Sequence, residues 1–573
     1  MSPARSQWPF AAAALAFTIL WFAMLSGRPL YDPDEGRYAE IPREMLAGGD
    51  FVIPHLDGYA YIEKPPLQYW LTAGSLAVFG PSEWAARLPT GVAGYCVLAA
   101  VYAIGRRLWG DAAALKALLL AGGSILFVLL GHQLTLDMSL TAWLTASLAC
   151  FVFAQAPADP TPAREPGPSR VQRHARAWML GCWAAMALAT LTKGLIGLLI
   201  PGFTLLVYLL WQRDGATLRR LHVRYGLPTF VALAAPWFVL AARAQPEFLR
   251  FFFIREHLQR FLTPIEQRTE PWWFFAPVLI VGILPWITRA ASVLATGWRD
   301  SAPPGGFAPR RLLWIWSVFV LVFFSSSNAK LIPYILPAIP ALALLAAAPR
   351  GVPTGTVDRA QAAEHARRVE RGHLFAGAAA SLAFAIGVFV YASAVLSSPK
   401  GRALALELRP SLAYVGLALV AAAVVCGILG RRDRPLAALA ALAAGWFAAA
   451  AAITVGATTA EQYFSAKDIA LRLRAVASPG ARVYSVHTYE QSLPFYLGRS
   501  VVLVDYRDEF AFGLGQDPAR GYPTIPEFSR AWHAEGEAYA VMPARSFEQF
   551  VAAGVPMREI ERYASRLVLV GRR

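Results

Sequence analysis

Charge is scarce in this chain. Only 16% of its 573 residues are Asp, Glu, Lys or Arg, with a mean hydropathy of +0.43. That composition excludes an ordinary soluble globule. Cysteine is equally sparse: Cys96, Cys150, Cys182 and Cys426 all lie in apolar runs, and none follows residue 455. The C-terminal region therefore has no disulfide framework, which for an exported domain is more usual in bacteria than in eukaryotic secretory compartments. Asn328 is the only asparagine, and it stands outside any Asn-x-Ser/Thr acceptor site. P-loop, CxxC, GxSxG and internal repeats are all missing, so no ATP-driven engine is visible.

Long apolar runs are what the chain does have. A helical span needs about 20 mostly apolar residues, and thirteen candidates centre near residues 17, 97, 121, 146, 184, 203, 234, 280, 318, 340, 385, 421 and 445. The first, Phe10 to Leu25, lacks a small-x-small cleavage site and reads as a retained helix. The net charge of +16 is carried by Arg-rich connections: Arg106/Arg107, Arg164 to Arg176, Arg213 to Arg224, Arg289 to Arg311, Arg350 to Arg371 and Arg431 to Arg434. They fall in every second connection, the positive-inside pattern. The basic bias is thus topological, and no nucleic-acid partner is implied. It puts the N-terminus in the cytoplasm and, with thirteen spans, the C-terminal region outside. The expected architecture is a polytopic α-helical membrane domain over residues 1–455 and a soluble α/β domain over 456–573. Outer loops 27–87 and 243–273 form the active-site side.

The first outer loop is too long for a simple turn. Asp34 to Leu46 has the two faces of an interfacial helix, Glu63-Lys64-Pro65-Pro66 interrupts it, and Leu67 to Phe79 resumes one. Pro157 to Arg176 and Ala302 to Arg311, rich in Pro with Arg or Gly, read as linkers. In the tail, strand-like runs (Arg482 to Val486, Ser500 to Val504, Ala538 to Met542, Leu567 to Val570) alternate with helical ones (Ala466 to Val476, Ile525 to Ala534, Ser546 to Ala552).

Charged groups at a bilayer boundary must be solvated or paired, and they usually serve ions or substrate. Asp32 and Asp34 fit helix N-caps. Glu35, Arg37 and Tyr38 beside Asp34 exceed what a cap needs, and a carboxylate there suits stabilisation of positive charge at a sugar carbon. Lys64 is either a snorkelling anchor or, held between Tyr61 and the prolines, a phosphate ligand. Asp137 is an N-cap or a second acid. His257 is a plain interfacial histidine or, with Glu63, a weak metal pair. Lys193, Lys330 and Tyr334 are anchors, helix-end residues or parts of a lipid-phosphate pocket. His487 to Glu490 reads as surface detail.

Asp34-Glu35-Gly36-Arg37-Tyr38, Tyr61-Ile62-Glu63-Lys64-Pro65-Pro66-Leu67 and Thr135-Leu136-Asp137 resemble the bacterial glycosyltransferases that use polyprenyl-phosphate sugars. These have the GT-C fold and are related to protein O-mannosyltransferases. The nearest likeness is to the lipid A 4-amino-4-deoxy-L-arabinose transferases, over residues 5 to 350. The resemblance implies an inner-membrane pentosyltransferase with a periplasmic C-terminal domain. Its donor would be undecaprenyl-phosphate-linked aminosugar, its acceptor lipid A in the bilayer, and its consequence polymyxin resistance. Carried over, Asp34 and Asp137 are the catalytic acids. Glu63 and Lys64 match cavity residues near metal and phosphate; beside them, the candidates for substrate or lipid phosphate are Arg37, Tyr38, Tyr61, Lys64, Arg260, Lys330 and Tyr334, and Glu63 with His257 are the candidates for a divalent metal such as zinc. No nucleotide cofactor is implied. The alternatives are a polyprenyl-phosphate transferase with another acceptor, such as protein or another glycolipid, and a non-catalytic polyprenyl-lipid transporter. A transporter would show inverted repeats and mid-bilayer polar groups.

Overall fold

The computed structural model describes residues 8–156, 168–213, 215–263, 270–299, 306–349, 359–397, 402–564 and 566–572. Half of the linker readings at 157–176 and 302–311, residues 157–167 and 302–305, lies outside the described residues. Each of the thirteen apolar centres lies in a helix. By length and composition, seven described helices can cross a membrane alone. Two bent pairs, Asp111–Gly122 with Ile125–Gly131 and Phe275–Gly282 with Leu284–Arg299, raise the number to as many as nine. Ala11–Ala23, Ile196–Gln212 and Ile332–Ala347 are shorter apolar helices. The protein is a polytopic α-helical membrane protein. Its spans present apolar side chains outward, with Phe389 and Leu417 both two-thirds exposed or more, as lipid requires and water does not.

Packing divides the chain into two compact units. The described residues of Met1–Pro89, Gln133–Thr135 and Ala457–Arg573 form one, and Thr90–His132 with Leu136–Gly456 form the other. The first outer loop, grouped with the membrane domain in the sequence reading, therefore packs with C-terminal residues.

In the first unit, helix α1 (Trp8–Ala23) leads into the loop. Helix α2 (Asp34–Gly48) ends on Gly49, left-handed at φ 74°, whose N–H bonds Met45 O. Strands β1 (His55–Leu56) and β2 (Tyr59–Ala60) form a small hairpin. Helix α3 spans Leu67–Phe79, and α4 (Glu83–Trp109) starts in this unit and runs into the other. The C-terminal sheet contains β3 (Arg482–Val486), β4 (Val502–Val504), β5 (Ala538–Pro543), β6 (Arg558–Tyr563) and β7 (Leu567–Gly571), in the order β4-β3-β5-β7-β6. The pairs β3–β4 and β3–β5 are parallel, whereas β7 runs antiparallel to β5 and β6. Strands β5 and β7 are almost wholly buried, hence their continuous apolar sequence. Tyr484, Phe528, Trp532, Met542, Phe550 and Val568 pack the core.

Gly36 sets how α2 meets this domain. A Cβ there would stand 2.7 Å from Ser492 Cα, against main chain that cannot rotate away. Gly36→Ala is therefore expected to lower stability by about 1–3 kcal/mol, the usual cost of overpacking. Thermal unfolding of the purified protein in nanodiscs checks this, and an unchanged midpoint would contradict the close packing.

Candidate functional site

The loop before α2 is fixed by one buried carboxylate. Glu35 is fully buried and takes both guanidinium groups of Arg28 and Arg87. Arg87 reaches it through Nε and Nη2, each at 2.8 Å. Arg28 Nη2 donates at 3.0 Å and Nη1 donates as well. The N–H groups of Tyr31 (3.0 Å) and Leu134 (2.9 Å) complete the shell. Arg87 also donates to the carbonyls of Leu25, Arg28 and Pro29. Burial alone would raise the Glu35 pKa, but the two guanidinium groups more than offset it and hold the carboxyl well below its usual range.

The other acids of the loop are also engaged. Asp32 accepts the N–H (2.5 Å) and hydroxyl (3.0 Å) of Ser492. It therefore holds Ser492, the residue just before the short helix Leu493–Leu497, and does not cap the helix that follows it in sequence. Glu40 pairs with Arg43, Glu44 accepts Gly58 N–H, Asp50 caps Val52 and Ile53, and Asp57 accepts Val501 N–H. Glu63 accepts the Tyr61 hydroxyl at 2.9 Å. Asp34 alone has no hydrogen-bond or ion-pair partner among the described residues. It opens α2, where the helix dipole favours an anion. Its charge is felt by Tyr69, whose buried hydroxyl also has no hydrogen-bond partner there. Burial raises the Tyr69 pKa, so this phenol stays a donor.

Four expected residues form a chain beside Asp34. Arg37 Nη1 donates to the Tyr61 hydroxyl at 3.3 Å, Tyr61 donates to Glu63, and Lys64 Nζ stands 3.8 Å from the same carboxylate. Tyr38 packs on Tyr69 at 6.0 Å between ring centroids. The C-terminal domain adds a residue that sequence reasoning missed, Glu509, 3.6 Å from Arg37 Nη2. Gln491 donates to it and Tyr506 faces it. No local pattern marks Glu509, because its partner lies 472 positions earlier.

The other expected residues belong to the second unit. Asp137, in the first turn of Leu136–Gln155, pairs with Lys193 at 2.5 Å, and Lys193 Nζ lies 4.8 Å from the Tyr334 ring centroid. Arg260 is held by Glu256 at 2.9 Å. Lys330 donates to the carbonyls of Glu270 and Ser327. His257 lies on a π-helical segment, Arg250–Gln259. Its Nδ1 faces Phe252 O at 2.7 Å and its Nε2 takes Leu195 N–H at 3.3 Å. Both ring nitrogens are thereby engaged with main chain. Glu63 is engaged by Tyr61 and Lys64, and no cluster of three His, Cys, Asp or Glu suited to a metal exists among the described residues. The expected Glu63–His257 metal pair therefore does not fit the donors present.

The aminoarabinose transferase C-terminal domain matches residues 469–571, and the dolichyl-phosphate-mannose-protein mannosyltransferase model matches 63–240. An undecaprenyl phosphate-alpha-4-amino-4-deoxy-L-arabinose arabinosyl transferase of Erwinia tasmaniensis is 30% identical over 569 residues, 97% of each chain. The chain belongs to this transferase family. A member from Pseudomonas fluorescens is 35% identical over 345 residues, 59% of this chain, and the match spans only 55% of that relative's length. The crystal structure of ArnT from Cupriavidus metallidurans bound to undecaprenyl phosphate superposes with a TM-score of 0.87 at 31% identity, covering 99% of this chain and 98% of that one. The family's fold is the GT-C glycosyltransferase fold.

In this family member the Glu35 node yields a pH prediction. Its folded pKa lies below the unfolded value, so its stabilisation is complete above the unfolded carboxyl range and is lost as pH falls through and below that range. Glu35→Gln is expected to cost about 3–5 kcal/mol at neutral pH by leaving two buried guanidinium groups without their anion. It should also flatten the acid limb of the unfolding midpoint against pH. An acid limb identical to wild type would refute the assignment.

Proposed function

We propose that this protein transfers 4-amino-4-deoxy-L-arabinose from undecaprenyl phosphate to a lipid A phosphate on the periplasmic side of a bacterial inner membrane. The N-terminus would be cytoplasmic and the C-terminal domain periplasmic, as the basic connections indicate. The observation that carries the reading is Asp34, the one acid of its loop without a hydrogen-bond or ion-pair partner among the described residues, within a chain of this family. The match at 469–571 to an aminoarabinose transferase domain favours this sugar over a mannosyl donor.

The chemistry follows from the leaving group. A polyprenyl phosphate departs as an anion and needs no proton, so cations must stabilise it as the glycosidic bond breaks. Lys64 and Arg37 are our candidates, with Tyr61 and Glu63 holding them in place. A phosphate acceptor, with a second pKa near 6, is largely ionised at neutral pH. A general base at Asp34 would then gain little. Asp34 instead faces the sugar, where it stabilises positive charge developing at the anomeric carbon and orients the cationic amine. Tyr38 and Tyr69 wall this position. Asp137, Arg260, Lys330 and Tyr334 remain candidates for substrate or lipid-phosphate contacts. No step is routed through a metal.

Expression in a polymyxin-sensitive strain that makes the aminoarabinosyl lipid tests the reading. Mass spectra of lipid A are expected to gain an aminopentose. Asp34→Asn should insert normally and lower transfer by at least about 1,000-fold, the scale of losing a charge-stabilising group. Wild-type transfer by that variant, or no aminopentose with wild-type protein, would overturn it. Lys64→Met, if Lys64 meets the leaving phosphate, should lower transfer by about 100-fold or more in the same spectra.

A further inference from the structure

The C-terminal sheet brings together three residues that the transferase chemistry does not use. Strands β4, β3 and β5 are adjacent and parallel, and the carboxyl ends of such strands are where open α/β sheets place their sites. Asp505 follows β4, His487 follows β3, and Ser546 lies just beyond β5 in the first turn of Ala544–Ala552. Because β3 is central, the histidine falls between the other two. His487 Nδ1 is 2.9 Å from Ser546 Oγ, and its Nε2 is 3.1 Å from Asp505 Oδ2. With Asp505 ionised, Nε2 carries the hydrogen and Nδ1 accepts the serine hydroxyl. His487 and Asp505 are both left-handed, at φ 55° and 46°. Neither is glycine, and such strain persists where the surroundings impose it, often at functional sites.

We propose that this constellation is a second, hydrolytic centre, with Ser546 as nucleophile, His487 as base and Asp505 as the positioning residue. The distances are those of a serine triad with the ring nitrogens exchanged, Nδ1 toward the serine and Nε2 toward the carboxylate, and a triad is recognised by roles and distances and not by chain order. The Ala544 N–H is taken by Arg566 O, whereas the next first-turn N–H groups, of Arg545 and Ser546, lack acceptors within their helix, and Pro543 offers no side-chain cap. They suit a developing oxyanion next to Ser546. A pocket of about 250 Å³ at the end of β4 is lined by Leu503, Tyr506, Arg507, Leu514, Pro518 and Tyr522, and Asp505 lies in sequence between the first two. Tyr522 O accepts the Asp505 N–H. This lining, apolar except for one arginine, suits the carboxylic ester of an amphiphile.

The step balances with water as the only co-reactant. Ser546 Oγ bonds the ester carbonyl carbon while its proton passes to His487 Nδ1. The carbon–oxygen bond to the alcohol then breaks, and the departing alkoxide takes that proton. Water, deprotonated by His487, releases the acid and restores the serine hydroxyl.

Full-length protein in nanodiscs, treated with a fluorophosphonate probe and assayed with p-nitrophenyl butyrate, tests the proposal. An adduct on Ser546 by peptide mass is expected. Ser546→Ala should lose both labelling and ester hydrolysis while its unfolding midpoint and aminopentose transfer stay unchanged, which separates this centre from the transferase reading. His487→Gln should slow labelling by about 100-fold or more. Asp505→Asn should slow it and shift its pH profile. No Ser546 adduct, under conditions that label a serine hydrolase control to completion, overturns the proposal. So does ester hydrolysis by Ser546→Ala at the wild-type rate.

Discussion

A carboxylate buried between two guanidinium groups holds the loop between α1 and α2 in shape. Glu35 is buried away from bulk solvent, and Arg28, Arg87 and two main-chain N–H groups make its burial tolerable. The same contacts tie residues 25–31, the start of α2, the start of α4 and Leu134 to one point. Such a pair adds little net stability over an apolar core, but losing one member leaves uncompensated charge. It acts as a specificity device, and what it specifies is the direction in which α2 begins.

That direction explains the division of labour among neighbouring acids. Asp32 and Glu35 flank Asp34 in sequence, yet both are consumed by structure: one holds Ser492 and the other anchors the arginines. Among the described residues Asp34 has no partner, nor does the buried hydroxyl of Tyr69, which feels its charge. The Arg37–Tyr61–Glu63–Lys64 chain then sets cationic groups near an uncommitted anion. A site that must separate a phosphate from a developing sugar cation needs both signs held apart, and fixed partners prevent their collapse onto each other.

Much of the fold was legible because hydrophobic periodicity survives without context. Leu67–Phe79 and Ile525–Ala534 were readable to the residue, and each of the thirteen apolar centres falls in a helix. Strand β6 was not, since Arg558–Tyr563 is a mostly exposed edge rich in Arg and Glu, the composition that blunts edge pairing. The motif residues were visible as motifs, but their partners were not. Nothing local reveals that Glu35 takes Arg87, that Arg37 meets Glu509, or that His257 spends both nitrogens on main chain. The His487 network was likewise invisible, because its three members meet only when parallel strands align.

The central claim is that an uncommitted Asp34 stabilises charge at the sugar carbon without bonding to it, while the acceptor phosphate displaces the polyprenyl phosphate directly. The anomeric configuration of the transferred sugar tests this most directly, compared by NMR in the donor and in lipid A modified by purified protein. A single displacement predicts inversion. Retention would mean a covalent sugar intermediate, with a carboxylate as nucleophile, and would contradict the account.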